Sequence, residues 1–249
     1  MRLKNKKALI TGASKGIGKS VALGFAREGA DIFITAQKDI DGLNETIEEA
    51  KNIGVNAIGG IYDASNFKDV ERLMNSVGNS FGTIDILVNN AGIIKPTLFL
   101  DLQPEQFEKT LKVHLFGTYY HTWLAVKKFM IPKKYGKIIN LAAPAAFKGY
   151  IGVVDYASAK GGIAAFTKNV AKELLSYNIQ VNAVVPIAES RMTKDLNNFY
   201  SKQFGAEIGA SLATLPTPDN LVGTFLFFAS SESDYVTGQI LTADGGWVE

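Results

Sequence analysis

The segment Thr11-Gly12-Ala13-Ser14-Lys15-Gly16-Ile17-Gly18 constrains this chain more than any other part of it. It follows the apolar run 7–11. It precedes a stretch in which Ile17, Val21 and Phe25 recur at four-residue spacing, one face of a helix. A strand, a glycine-rich turn and a helix in that order make a phosphate cradle. Gly12 permits the tight turn, while Gly16 and Gly18 put no side chain in the way of a pyrophosphate or of close helix–sheet packing. The helix start adds free N–H groups and the positive end of its dipole. Gly12, Ser14, Lys15, Gly16, Ile17 and Gly18 are therefore expected to bind a dinucleotide.

The rest of the chain continues the alternation. Runs 31–36, 55–62, 84–89, 137–141, 179–185 and 239–243 are short, and most are apolar on both faces, as buried parallel strands are. Segments 41–52, 66–80, 104–130, 155–176 and 218–230 read as helices, with Pro104 and Pro218 suited to first turns. The pattern predicts one α/β domain over 1–249. Its fold is a Rossmann-type doubly wound parallel sheet of about seven strands with helices on both faces. Segment 187–216 is long and mixed and follows the C-terminal end of a strand. Ligands bind at that edge, so it is expected to form a substrate lid.

Composition removes several function classes. Hydrophobic residues make up 47% of the 249, enough for a folded core. A net charge of +2 with scattered basic residues gives no nucleic-acid footprint. The absence of cysteine excludes disulfides and thiolate chemistry, and two histidines make a histidine-rich metal site unexpected. No run approaches the roughly 20 apolar residues of a membrane span. A cytoplasmic protein without nucleic-acid, membrane or metal partners is expected.

The end of the second strand bears on cofactor choice. A fold selecting NAD needs a carboxylate there for the ribose 2′-hydroxyl. The sequence offers Thr35-Ala36-Gln37-Lys38, and Asp39 and Asp41 read as helix caps. Lys15 and Lys38 can instead attract a 2′-phosphate, so NADP(H) is expected, with Gln37 and Lys38 at its adenosine end.

Further motifs join the glycine loop: Tyr62-Asp63, Asn89-Asn90-Ala91-Gly92, Tyr156-Ala-Ser-Ala-Lys160, Val236-Thr-Gly-Gln and Asp244-Gly-Gly. Over essentially its whole length the chain resembles the short-chain dehydrogenase/reductase family. The resemblance implies that Asp63, with Ala64 beside it, holds the adenine. It implies that Asn90, Ala91 and Gly92 line the adenosine side, and that Tyr156 is the general acid or base. Lys160 would bind the nicotinamide ribose and lower the tyrosine pKa. Residue chemistry points the same way, since an i,i+4 pair shares a helix face and an ammonium favours a phenolate. Pro186, Ile187 and Ser190 would approach the nicotinamide and its phosphates.

Two positions depart from the family pattern. The usual serine, thirteen residues before the tyrosine, is Ala143, inside Leu141-Ala142-Ala143-Pro144-Ala145-Ala146. Losing one such donor can cost about 10²–10³ in rate. Tyr150 is a replacement donor that the sequence does not position. His114 stands where the family commonly has asparagine. It is a proton-relay candidate that titrates near neutrality, or a packed helix histidine. His121 is expected to be structural, and Arg191 to form an ion pair. Val113-His114-Leu115 and Ser190-Arg191-Met192-Thr193 are similar to the (R)-3-hydroxyacyl-CoA dehydrogenase module of peroxisomal multifunctional enzymes.

The expected function is NADP(H)-dependent interconversion of a ketone and a secondary alcohol, with a 3-oxoacyl thioester or similar apolar carbonyl compound as substrate. The apolar lid residues Phe199, Tyr200 and Phe204 support that choice. Two alternatives are an NADP(H)-binding protein with weak or no redox activity, and non-redox acid–base chemistry at the tyrosine. The family resemblance, together with apolar residues on several faces of 104–130 and 155–176, predicts a homotetramer.

Overall fold

The computed structural model describes residues 1–205 and 215–246. Among these, the strands are β1 (Lys7–Ile10), β2 (Asp31–Ala36), β3 (Ala57–Ile61), β4 (Ile86–Asn89), β5 (Gly136–Leu141), β6 (Ile179–Pro186) and β7 (Ile240–Ala243). The helices are α1 (Gly16–Arg27), α2 (Ile40–Ile53), α3 (Phe67–Phe81), α4 (Pro104–Leu111), α5 (Gly117–Ala125), α6 (Ile131–Lys133), α7 (Val154–Glu173), α8 (Arg191–Phe204) and α9 (Val222–Ala229). The strands form one sheet in the order β3-β2-β1-β4-β5-β6-β7, and every adjacent pair is parallel. This is the single-domain doubly wound fold that the alternation predicted.

Alternating side chains build a core on each face of the sheet. Ile10, Ile34, Val88 and Ile139 point to the layer containing Val21, Phe25 and Phe225. Leu9, Phe33, Leu87 and Ile138 point to the opposite layer, with Val70, Leu73, Met74 and Leu124. Central strands covered on both sides are apolar at most positions, which is why their sequences read as near-continuous hydrophobic runs.

Helix starts are set by local chemistry. Asp39 caps α2 by accepting from Gly42 N, as expected, while Asp41 lies in the first turn rather than at the cap. Asn66 caps α3 through Lys68 N and Asp69 N. Ser190 and Thr193 form a reciprocal capping box at the start of α8. The helix start at Lys15 has no side-chain cap and no acid in its first turn, which leaves its N–H groups for a ligand.

The expected uniform helix over 104–130 needs correction. It contains π-helical turns at Lys112–Phe116 and Val126–Met130, flanking α5. A pattern of apolar residues reports a buried face but not a single residue inserted into a turn, and such bulges often lie at functional sites. Helix 218–230 likewise begins as a 3-10 turn, Pro218–Leu221. The expected lid is helical over α8, and 206–214 lies outside the described residues.

Candidate active site

The direction of strand order reverses between β1 and β4, so the loops after these strands diverge and leave a crevice. Asn90 ties its floor together. Its Nδ2 donates to Thr11 O and Gly12 O, both at 2.8 Å, and Thr11 Oγ1 accepts from Asn90 N and Ala91 N at 3.0 Å. Gly12 adopts φ +66°, and a Cβ on Gly18 would come within 2.5 Å of Asn90 Nδ2, so neither position tolerates a side chain.

A cavity of about 710 Å³ opens over this floor. Its walls bring together every residue expected at the site: Gly12, Ser14, Lys15, Gly16, Ile17 and Gly18 of the glycine loop, with Gln37, Lys38, Asp63, Ala64, Asn90, Ala91, Gly92, His114, Tyr156, Lys160, Pro186, Ile187 and Ser190. The size and the bare glycine cradle fit a dinucleotide. The glycine loop and the α1 start would hold its phosphates, and Asp63 and Gln37 its adenosine end.

The adenosine end is ordered by polar contacts. Asp63 Oδ1 accepts from Ser65 N at 2.9 Å and Ser65 Oγ at 2.7 Å, and Asp63 Oδ2 accepts from Gln37 Nε2 at 3.1 Å. Partial burial opposes charge on Asp63, but these hydrogen bonds win and hold its carboxyl below the usual range. Lys15 Nζ lies 2.7 Å from Asp39 Oδ2, so the cap of α2 also carries a charge partner of the glycine-loop lysine. Lys38 is exposed beside them.

At the other end, Tyr156 and Lys160 lie one turn apart on α7. Lys160 is buried and donates to Leu141 O at 2.5 Å, and its Nζ lies 5.6 Å from the Tyr156 ring centre. Burial lowers the Lys160 pKa to about 7 and pushes the Tyr156 phenol above its usual range. Burial thus acts against the expected lowering of the tyrosine by the lysine.

His114 needs a second correction. Its ring packs edge-on to Tyr156 with centres 5.2 Å apart, and its Nε2 meets Ile93 O at 2.7 Å and Ile93 N at 3.0 Å. Burial first, then the Lys160 charge, lowers its pKa to about 3. Burial favours its neutral form, which disfavours a relay based on changing its charge. The π-helical turn carries it to this place.

Ala143 follows β5 and lines the cavity, so the position of the missing hydroxyl faces the expected reaction site. Tyr150 lines the same cavity, which the sequence alone could not establish. The loop bearing it is anchored at the two residues that follow: Thr97 N donates to Gly152 O at 2.8 Å, and Ile151 N donates to Tyr200 Oη of α8 at 2.8 Å. Ser190 spends its hydroxyl on the capping box, and Arg191 lies 3.9 Å from Asp195, the expected ion pair. His121, expected to be structural, is buried and also borders the cavity. Among the described residues no cluster of three or more His, Asp or Glu could hold a metal ion, and no helix is long and apolar enough to cross a membrane.

Fold and crevice are those of the nicotinamide-dependent oxidoreductases. The family model described as short chain dehydrogenase matches residues 6–201, and the chain belongs to that family. Its relatives include a 3-oxoacyl-[acyl-carrier-protein] reductase of Synechocystis sp., 37% identical over 97% of this chain and 96% of that one. Another of that name, from Thermotoga maritima, is 35% identical over the full length of both. Among solved structures, an NAD⁺-bound xylitol dehydrogenase superposes with a TM-score of 0.91 at 26% identity, over 99% of this chain and 100% of that one.

Proposed function

We propose that this chain interconverts a ketone and a secondary alcohol with NADP(H), and that its substrate is a 3-oxoacyl thioester or a similar apolar carbonyl compound. The observation that carries this reading is the placement of Tyr156 and Lys160 against the cavity that the glycine loop opens. The bound nicotinamide supplies or accepts the hydride. Tyr156 gives its phenolic proton to the substrate oxygen during reduction and recovers it afterwards. Burial keeps that phenol protonated at neutral pH, the form reduction requires. Lys160 would hold the nicotinamide ribose, exchanging its bond to Leu141 O for one to the ligand. The similarity to two 3-oxoacyl reductases and the aromatic cluster of Phe199, Tyr200 and Phe204 support the substrate class. The direct test follows NADPH consumption with a carbonyl panel that includes acetoacetyl-CoA. No consumption despite tight NADPH binding would instead favour a binding protein without redox activity, the reading that Ala143 motivates.

The cofactor preference rests on Lys15 and Lys38 and on the lack of an acid at Ala36 and Gln37. NADPH is expected to bind more tightly than NADH, as read by fluorescence titration; tighter NADH binding would contradict this. Asp39 tempers the preference, because its carboxylate pairs with Lys15 and repels a 2′-phosphate. Asn caps a helix as well as Asp does, so Asp39→Asn keeps the start of α2 while deleting the charge. It is expected to tighten NADPH by about fivefold, close to 1 kcal/mol across exposed, salt-screened distances, with little effect on NADH.

The homotetramer reading is supported by a face of α5 and the turn before it. Phe116, Tyr119 and Trp123 are 45%, 44% and 39% exposed there, too much aromatic surface for one helix face in contact with water. Light scattering at working concentration is expected to give four times the chain mass, and a monomer would overturn it.

A further inference from the structure

Behind the large cavity, a chain of buried amides crosses the sheet. Asn89 on β4 and Asn140 on β5 are register partners. Hydrogen-bond direction along this chain is fixed from one end. Thr167 Oγ1 lies 2.8 Å from Ile163 O, and a carbonyl only accepts, so Thr167 donates its single proton there. It must then accept from Asn140 Nδ2 at 2.9 Å. That turns Asn140 Oδ1 towards Asn89, where it accepts from Nδ2 at 2.8 Å. The same Nδ2 donates to Thr122 Oγ1 at 3.0 Å. Asn89 Oδ1 is left as a buried acceptor with no protein donor. An unmatched buried acceptor costs on the order of 1–3 kcal/mol, so most have a partner.

Asn89 borders a second, small cavity of about 10 Å³, together with Thr118 and His121 of α5. That is close to the room one water needs. The histidine tautomer follows from its neighbour. His121 Nδ1 lies 2.7 Å from Gly117 O and therefore carries the proton, while burial lowers the pKa to about 4 and keeps the ring neutral. With Nδ1 protonated, Nε2 can only accept, and the Thr118 hydroxyl can donate. Two acceptors and one hydroxyl complement a water molecule, which donates two hydrogen bonds and accepts from the third group. A metal cation would not suit a lining without a carboxylate.

We propose that this cavity is a binding site for one ordered water, which donates to Asn89 Oδ1 and His121 Nε2 and accepts from Thr118 Oγ1. His121 also lines the large cavity, so the water joins the amide chain of the sheet to the wall of the candidate cofactor site. The site does not depend on which reaction the protein performs.

The test uses the unaltered protein. A crystal structure at a resolution that orders internal water should show a peak in every copy within hydrogen-bond distance of both Asn89 Oδ1 and His121 Nε2. With ¹⁵N-labelled histidine, His121 Nδ1 should resonate as a protonated nitrogen, and Nε2 should be shifted from the position of an unbonded acceptor towards that of a bonded one. Three results would each overturn the proposal: no density at that point, an Asn89 amide rotated to place Oδ1 against Thr122, or an Nε2 resonance at the unbonded position.

Discussion

Tyr156→Phe is expected to lower kcat by about 10²–10⁴-fold, the usual worth of a positioned general acid, while leaving NADPH affinity nearly unchanged. Phenylalanine keeps the ring that packs edge-on to His114, so the wall of the cavity stays in place and only the hydroxyl is lost. Turnover with the best carbonyl substrate and an NADPH fluorescence titration, run on the same preparation, read the two effects separately. Retained turnover would mean that the proton comes from elsewhere. Lost binding would mean that the variant disturbs the site itself.

Ala143→Ser has the second-largest expected effect, in the opposite direction. It is expected to raise kcat by about 10–10²-fold, a part of what one well-placed donor contributes to transition-state stabilisation. The backbone at Ala143 is extended, at φ −158° and ψ 157°, a conformation open to any residue. Serine therefore adds only a hydroxyl at a cavity wall. Steady-state kinetics decide the outcome. No gain would show that the existing groups already satisfy the substrate oxygen. Tyr150 is the hydroxyl that the structure brings to the same cavity. If it serves in that way, Tyr150→Phe should depress kcat, and adding Ala143→Ser should restore it.

The architecture was legible because parallel strands covered on both faces leave an unmistakable trace. Runs such as Ala8-Leu9-Ile10 and Ile86-Leu87-Val88 have no polar side, and Gly12, Gly16 and Gly18 follow directly after the first. Apart from His114, the expected residues of the site converged on one cavity because they were tied to strand ends or helix starts, positions that the fold brings to one edge. What the sequence hid was electrostatic and local. The four-residue spacing of Tyr156 and Lys160 shows that they share a helix face but not that Lys160 is buried and Tyr156 half-buried against the cavity. The burial of His114 depends on a π-helical turn that no apolar periodicity records. Tyr150 lies in a loop whose two anchors, Thr97 N on Gly152 O and Tyr200 Oη on Ile151 N, involve residues far away in the chain.

The Asn89–Asn140 pair has a bearing on how the chain finds its sheet. Val88 lies opposite Ile139, and Leu87 opposite Ile138, so hydrophobic matching alone would let β4 slide along β5 with little penalty. The amides remove that freedom. A shift of two residues would keep each side chain on its proper face yet set both asparagines against aliphatic neighbours. Each amide would then be stranded, at about 1–3 kcal/mol apiece. The polar pair thus acts as an alignment pin during folding, and it sits next to the crevice, where a slipped strand would do most harm.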